Sequence, residues 1–246
     1  LLFARGKRPD RADLSACAAQ VHTLGFVQAG SSDGGAGDDA LSPGNPVWAE
    51  LLRDGLTFDL CGLAPGPASD FPEVMHRFDL AEMPTPAGFD AVAVMAGPHL
   101  ASSARSLPVI RGMLGHACDM IRHFDDLAAI SWGPSRSMIG RQFFESVVTA
   151  WLDGGAFPAL GLTAFVQAPD GALQSVGLDY WIGQELRIEP PLSADRVTAT
   201  RLGIRLVNQL VLAGRVEADE RIISPDGSRL VLRPSRDRAT ISVWRE

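Results

Sequence analysis

Between Phe89 and Asp153 short apolar runs alternate with amphipathic stretches, and that alternation restricts the chain to helices packed on a sheet. Phe89 to Met95 is an apolar run of strand length, as is Leu127 to Trp132. Between them Leu107, Ile110, Leu114, Ala117 and Ile121 recur at helical spacing, with Pro108 in the first turn and Ser102 or Ser103 as the cap. Gly133-Pro134-Ser135 then turns the chain into a second helix, Arg136 to Asp153, ended by Gly154-Gly155.

The flanking regions read as a mixture of strands and helices. Asp10 caps a helix carrying Leu14, Cys17, Ala18 and Val21, which Gly25 ends. An acidic Gly/Ser/Asp loop from Ala29 to Pro46 includes Asp33, Asp38 and Asp39 but lacks the ligand order of a calcium loop. Val47 to Leu52 reads as a short helix, Leu56 to Leu63 as a strand with Phe58 and Leu60 on one face, and Ala64 to Pro86 as a Pro-rich connection. Leu160 to Ala168 and Leu173 to Trp181 flank Pro169-Asp170-Gly171, a hairpin signal. Gln184 to Glu189 follows as a strand with Leu186 and Ile188 inward, after a bulge at Gly183. Ser193 caps a helix stapled by Leu192 and Val197, continued by Ile204, Val207 and Val211 and closed by Gly214. Two strands, Arg229 to Arg233 and Thr240 to Trp244, end the chain. The expectation is an α+β fold: a mixed, largely antiparallel sheet with helices packed on it. Residues 1–246 form one domain, or two lobes at 1–88 and 89–246.

Charge and cysteine usage narrow the function classes. The net charge is −7, which repels phosphate backbones. From Arg196 to Glu246 ten arginines meet six acids, a net of +4 that leaves −11 on the preceding residues. That basic tail lacks the aromatic partners of a nucleic-acid stripe, so no nucleic-acid partner is expected. No apolar run approaches the roughly 18 residues of a membrane span, and none is expected to contact a membrane. Cys17, Cys61 and Cys118 are odd in number and far apart, the pattern of buried structural thiols in a reducing, cytoplasmic setting.

Three constellations carry the side chains that chemistry uses. At Ser131-Trp132-Gly133-Pro134-Ser135-Arg136-Ser137 a strand-turn-helix would aim free N–H groups and the side chains of Ser135 and Arg136 at an anion, or Ser135 would simply cap the helix. Neither the phosphate-loop spacing nor G-x-S-x-G is present. His116, Asp119 and His123 share one helix face, as weak metal candidates or as solvent-facing residues opposite the apolar stripe. Glu185, Arg187 and Glu189 alternate on one strand face, as a carboxylate pair for acid/base work or as a face neutralised by Arg187, with Tyr180 and Trp181 nearby. His22, His76 and His99 are isolated.

From Phe89 onward the chain resembles a bacterial family whose C-terminal half is a domain of unknown function. The resemblance rests on Ala128-Ala129-Ile130-Ser131-Trp132 with Ser135, Phe143-Phe144-Glu145, Phe157-Pro158, Gly177-Leu178, Gly183 through Ile188, and Asn208 through Val216. Ser175 stands where the family pattern has Thr. The resemblance implies an intracellular α+β protein and brings no activity, cofactor or catalytic residue.

The leading expectation is a non-catalytic binding or interaction protein, accessory or immunity-like, with a protein partner or a second copy of itself, and no cofactor. The alternative is an enzyme acting on an anionic small molecule, with Trp132, Ser135, Arg136 and Glu185 lining its site. A purely structural subunit is the third reading.

Overall fold

The computed structural model describes residues 1–21, 25–27, 47–224 and 226–246. The acidic loop with Asp33, Asp38 and Asp39, and His22, lie outside the described residues. In chain order the elements begin with β1 (Leu2–Ala4), α1 (Arg11–Gln20), β2 (Gly25–Val27), β3 (Val47–Arg53), β4 (Leu56–Leu63) and β5 (His76–Phe78). They continue with β6 (Phe89–Ala91), β7 (Ala93–Ala96), α2 (Leu107–His123), β8 (Leu127–Trp132), β9 (Ser137–Gly140) and α3 (Arg141–Leu152). The remainder is α4 (Ala159–Leu162), β10 (Ala164–Gln167), β11 (Leu173–Val176), α5 (Asp179–Ile182), β12 (Glu185–Ile188), α6 (Arg196–Ala213), β13 (Glu220–Ile223), β14 (Arg229–Pro234) and β15 (Thr240–Arg245).

The α+β class holds, with the strands distributed over three mostly antiparallel sheets. The chain divides into two compact units, and residue 88 lies inside one of them. The first unit comprises Leu1–Glu73, Asp79–Ser131 and Ile139–Gly154; the second comprises Val74–Phe78, Trp132–Met138 and Gly155–Glu246.

In the first unit β2, β3, β4 and β7 form an antiparallel sheet. Val47 to Leu52 is therefore strand, not helix: Ala49 and Leu51 alternate inward from β3 and meet buried Phe58 and Leu60 of β4. The run from Phe89 is split at Val92, where β6 pairs with β1 and β7 with β4. Strand β1 also pairs antiparallel with β8. Helix α2 begins later than expected, with Ser106 at its cap, and its first stripe residue, Leu107, is exposed. Ile110, Leu114, Ala117 and Ile121 are buried as the spacing predicts. Helix α3 contributes Phe144, Val148 and Trp151 at i, i+4 and i+7.

In the second unit six strands run in the order β10-β11-β12-β15-β14-β13, parallel only between β12 and β15. The hairpin at Pro169-Asp170-Gly171 forms as expected, pairing β10 with β11. Leu186 and Ile188 are fully buried, and Gly183 ends α5 in a left-handed conformation rather than marking a bulge. Asp195, not Ser193, caps α6, accepting from Thr198 N. Ser193 lies two residues before the cap, where it is buried and donates to the Gly171 carbonyl at 2.8 Å, and Val197 is exposed. Gly203 lets α6 approach β10, since a Cβ there would lie 2.6 Å from the Phe165 ring. Strand β13, absent from the sequence reading, pairs with β14 through the Asp226-Gly227 turn.

Candidate functional site

The Trp132–Ser137 segment is a strand-turn-strand. Arg136 N donates to the Gly133 carbonyl at 2.9 Å, closing a four-residue turn, and Arg136 takes a positive φ of 50°. Its carbonyl accepts from Met75 N at 2.8 Å and His76 N at 3.1 Å. A carbonyl so engaged, on a left-handed residue, cannot start a helix, and the chain runs on into β9. The expected helix from Arg136, with its cradle of free N–H groups or its Ser135 cap, is therefore corrected. Ser135 is fully buried; its Oγ donates to the Gly161 carbonyl at 2.7 Å and lies 2.7 Å from Ser137 Oγ. Trp132 is buried edge-on against Tyr180, with centroids 5.5 Å apart, and stacked on Trp181 at 5.9 Å. Phe157 meets the edge of Trp181 at 4.7 Å.

Glu185 meets this cluster through Gly177. Gly177 has φ +89°, and a Cβ there would lie 2.8 Å from Ser135 Cα and Pro134 O. Only glycine permits both the conformation and the approach. Glu185 Oε1 accepts from Gly177 N at 2.7 Å, Oε2 accepts from Leu178 N at 3.3 Å, and Ser175 Oγ donates to Oε2 in a short bond. Burial raises the Glu185 carboxyl above its ordinary value; the bonds from Ser175 and Gly177 oppose that shift, and neighbouring Asp179 adds to it. Arg187 does not neutralise Glu185. It bonds Glu189 at 2.9 Å and also pairs with Asp170.

Trp132, Ser135 and Glu185 thus converge on the segment Gly177–Trp181, and the backbone of Arg136 closes the adjoining turn. The hydroxyl of Ser135 and both carboxylate oxygens of Glu185 are bonded within the protein. Chemically the arrangement is a clamp: a carboxylate ties the end of β11 to the start of α5, and Trp132 packs on Tyr180 and Trp181 of that helix.

The polar face of α2 is also corrected. His116 and Asp119 are buried, because that face packs on the sheet of β3 and β4 and not against solvent. Asp119 pairs with Arg53 in a short bond and with Arg122 at 3.5 Å. His116 lies edge-on to Phe58 at 4.9 Å, and both its ring nitrogens are buried without a hydrogen-bond partner. Burial, then the Arg53 charge, lowers His116 to about 3. His123 is partly buried against Phe124. Among the described residues no group of three His, Cys, Asp or Glu is placed to hold a metal ion. Cys17 and Cys118 are buried free thiols pushed up to about 11, chiefly by desolvation, so neither is a ready nucleophile.

Two features of the first unit escaped the sequence reading. One is a cavity of about 600 Å³ whose lining includes Arg53, Asp54, Leu56, Arg111, Leu152 and Asp153. The other is the outer face of β3, β4 and β7. Trp48, Leu52 and Met95 are 42%, 38% and 49% exposed there, around Glu50 and Asp59, which stand directly opposite each other. Reading Val47 to Leu52 with period 2 instead of 3.6 would have placed Trp48, Glu50 and Leu52 on one face. No protein-family profile, curated protein or solved structure matches the chain.

Proposed function

We propose that this chain is a non-catalytic protein-binding protein of the bacterial cytoplasm, and that the open sheet face of its first unit is the surface that binds. One observation carries the reading: three large apolar side chains, Trp48, Leu52 and Met95, stand exposed around a cross-strand acid pair. Like charges opposite each other on a sheet are destabilising. Burial and then Glu50 raise the Asp59 carboxyl, with His99 opposing. Neither Glu50 nor Asp59 forms a salt bridge among the described residues. A partner offering Arg or Lys between apolar residues would relieve that repulsion while covering the tryptophan. Isologous pairing of this face would set the acids of two copies against each other, which favours a different, basic partner. Free Cys17, Cys61 and Cys118 fit a reducing compartment, and no helix among the described residues is long and apolar enough to cross a membrane.

The test is selection from a displayed peptide library on the wild type, Trp48→Ser and Asp59→Asn. The wild type should enrich peptides mixing basic and apolar residues, with binding that weakens as salt rises. Both variants should lose them. Enrichment without basic residues, or equal capture by Asp59→Asn, would sink the reading.

A further inference from the structure

The cavity of the first unit is built from three separated stretches: the β3–β4 turn with Arg53, Asp54 and Leu56, the second turn of α2 with Arg111, and the end of α3 with Leu152 and Asp153. Both arginines are anchored. Arg53 Nη1 donates to buried Asp119. Arg111 Nη2 donates to the Leu152 carbonyl at 2.5 Å and Nη1 to the Trp151 carbonyl at 3.4 Å, with the guanidinium 4.9 Å from the centroid of the Trp151 ring. A guanidinium carries five N–H donors, so these anchors fix each fork and leave donors over. Asp54 and Asp153 are exposed beside them; Asp54 Oδ2 lies 4.0 Å from Arg53 Nε, at the edge of ion-pair range, and Asp153 makes no ion pair among the described residues. Leu56 and Leu152 supply apolar wall.

This lining discriminates between ligand charges. Asp54 and Asp153 repel a simple anion, and the two arginines repel a simple cation. A neutral apolar molecule would cover the remaining guanidinium donors without bonding them, which is costly. We infer that the cavity is a binding site for a small zwitterion of the amino-acid type. Its carboxylate bonds Arg53 and Arg111, its ammonium faces Asp54 and Asp153, and an apolar side chain lies on Leu56 and Leu152. The volume lies within the range of small-molecule sites and accommodates a free amino acid or a dipeptide.

Isothermal titration with L-leucine, L-phenylalanine, dileucine, N-acetyl-leucine, leucinamide and inorganic phosphate tests this assignment. A zwitterion is expected to bind, with N-acetyl-leucine and leucinamide each about tenfold weaker or more. Tighter binding of leucine supports a free amino acid as the ligand, and tighter binding of dileucine a short peptide. Asp54→Asn combined with Asp153→Asn touches only exposed groups; it should weaken leucine about tenfold while sparing N-acetyl-leucine. Leu56→Trp, checked for folding by circular dichroism, should abolish binding by filling the space. The assignment is overturned by the absence of zwitterion binding at about 10 mM, by N-acetyl-leucine or phosphate binding as tightly as leucine, or by full binding in folded Leu56→Trp.

Discussion

The two units differ in how fully they bond the polar side chains that chemistry would use. In the second, the buried carboxylate, hydroxyl and amide near the predicted site are each bonded, while the Trp132 indole nitrogen is buried there without a hydrogen-bond partner: Glu185 takes three donors, Ser135 bonds Gly161, and Gln184 exchanges bonds with Val216 at 3.1 and 2.8 Å. The first buries His116 with both nitrogens unpartnered, lines a cavity with anchored arginines, and sets two half-buried acids face to face. A closed polar network holds shape, and an unfinished one is available to something else. By that contrast Ser135 and Glu185, which look most chemical in the sequence, are bonded within the protein, and the proposed binding surface lies in the other unit.

The largest expected effects would break the closed side of this contrast. Glu185→Ala takes the acceptor from the Ser175 hydroxyl proton and from two backbone N–H groups, and should cost about 3 kcal/mol in urea unfolding. Gly177→Ala should cost a similar amount through its positive φ and its approach to Ser135. In the first unit, Arg53→Met takes the short Arg53 bond from buried Asp119, a loss of about 2–3 kcal/mol. Pairing it with Asp119→Leu should recover most of that, as a double-mutant cycle would measure.

Acidification sharpens the comparison because its sign differs between units. His116 is lowered in the folded state, so the unfolded chain binds the extra proton. Stability is full above about pH 6.5 and falls by up to about 1.4 kcal/mol per pH unit toward about pH 3. Glu185 is raised, so its protonated form favours the folded state at low pH, and that contribution is lost as pH rises through its folded value. Hydrogen exchange resolved by segment should show α2 losing protection on acidification sooner than β12. His116→Leu should remove the loss and gain about 1 kcal/mol at neutral pH. The smallest effect belongs to the open sheet face: Trp48→Ser should move stability by no more than about 0.5 kcal/mol while abolishing peptide capture.

Where local pattern decides structure, the sequence was legible. Strand β4, the β10–β11 hairpin, β12 and the closing Gly214 of α6 follow from alternation and turn chemistry. Elsewhere distant partners decided. Val-Trp-Ala-Glu-Leu-Leu suits helix or strand until β2 and β4 flank it. Arg136 stays out of a helix through Met75 and His76, and the polar face of α2 is buried by Arg53, 66 residues from Asp119. The cavity joins residues 53–56, 111 and 152–153, a meeting that no periodicity encodes.

The interleaving of the two units has a consequence for inheritance and synthesis. Val74–Phe78 and Trp132–Met138 belong to the second unit but are encoded within the first. No single cut in the gene releases either unit whole, so neither can be shuffled into another protein as a cassette. On the ribosome both early segments of the second unit emerge before Gly155–Glu246, so that unit stays incomplete until translation is nearly done.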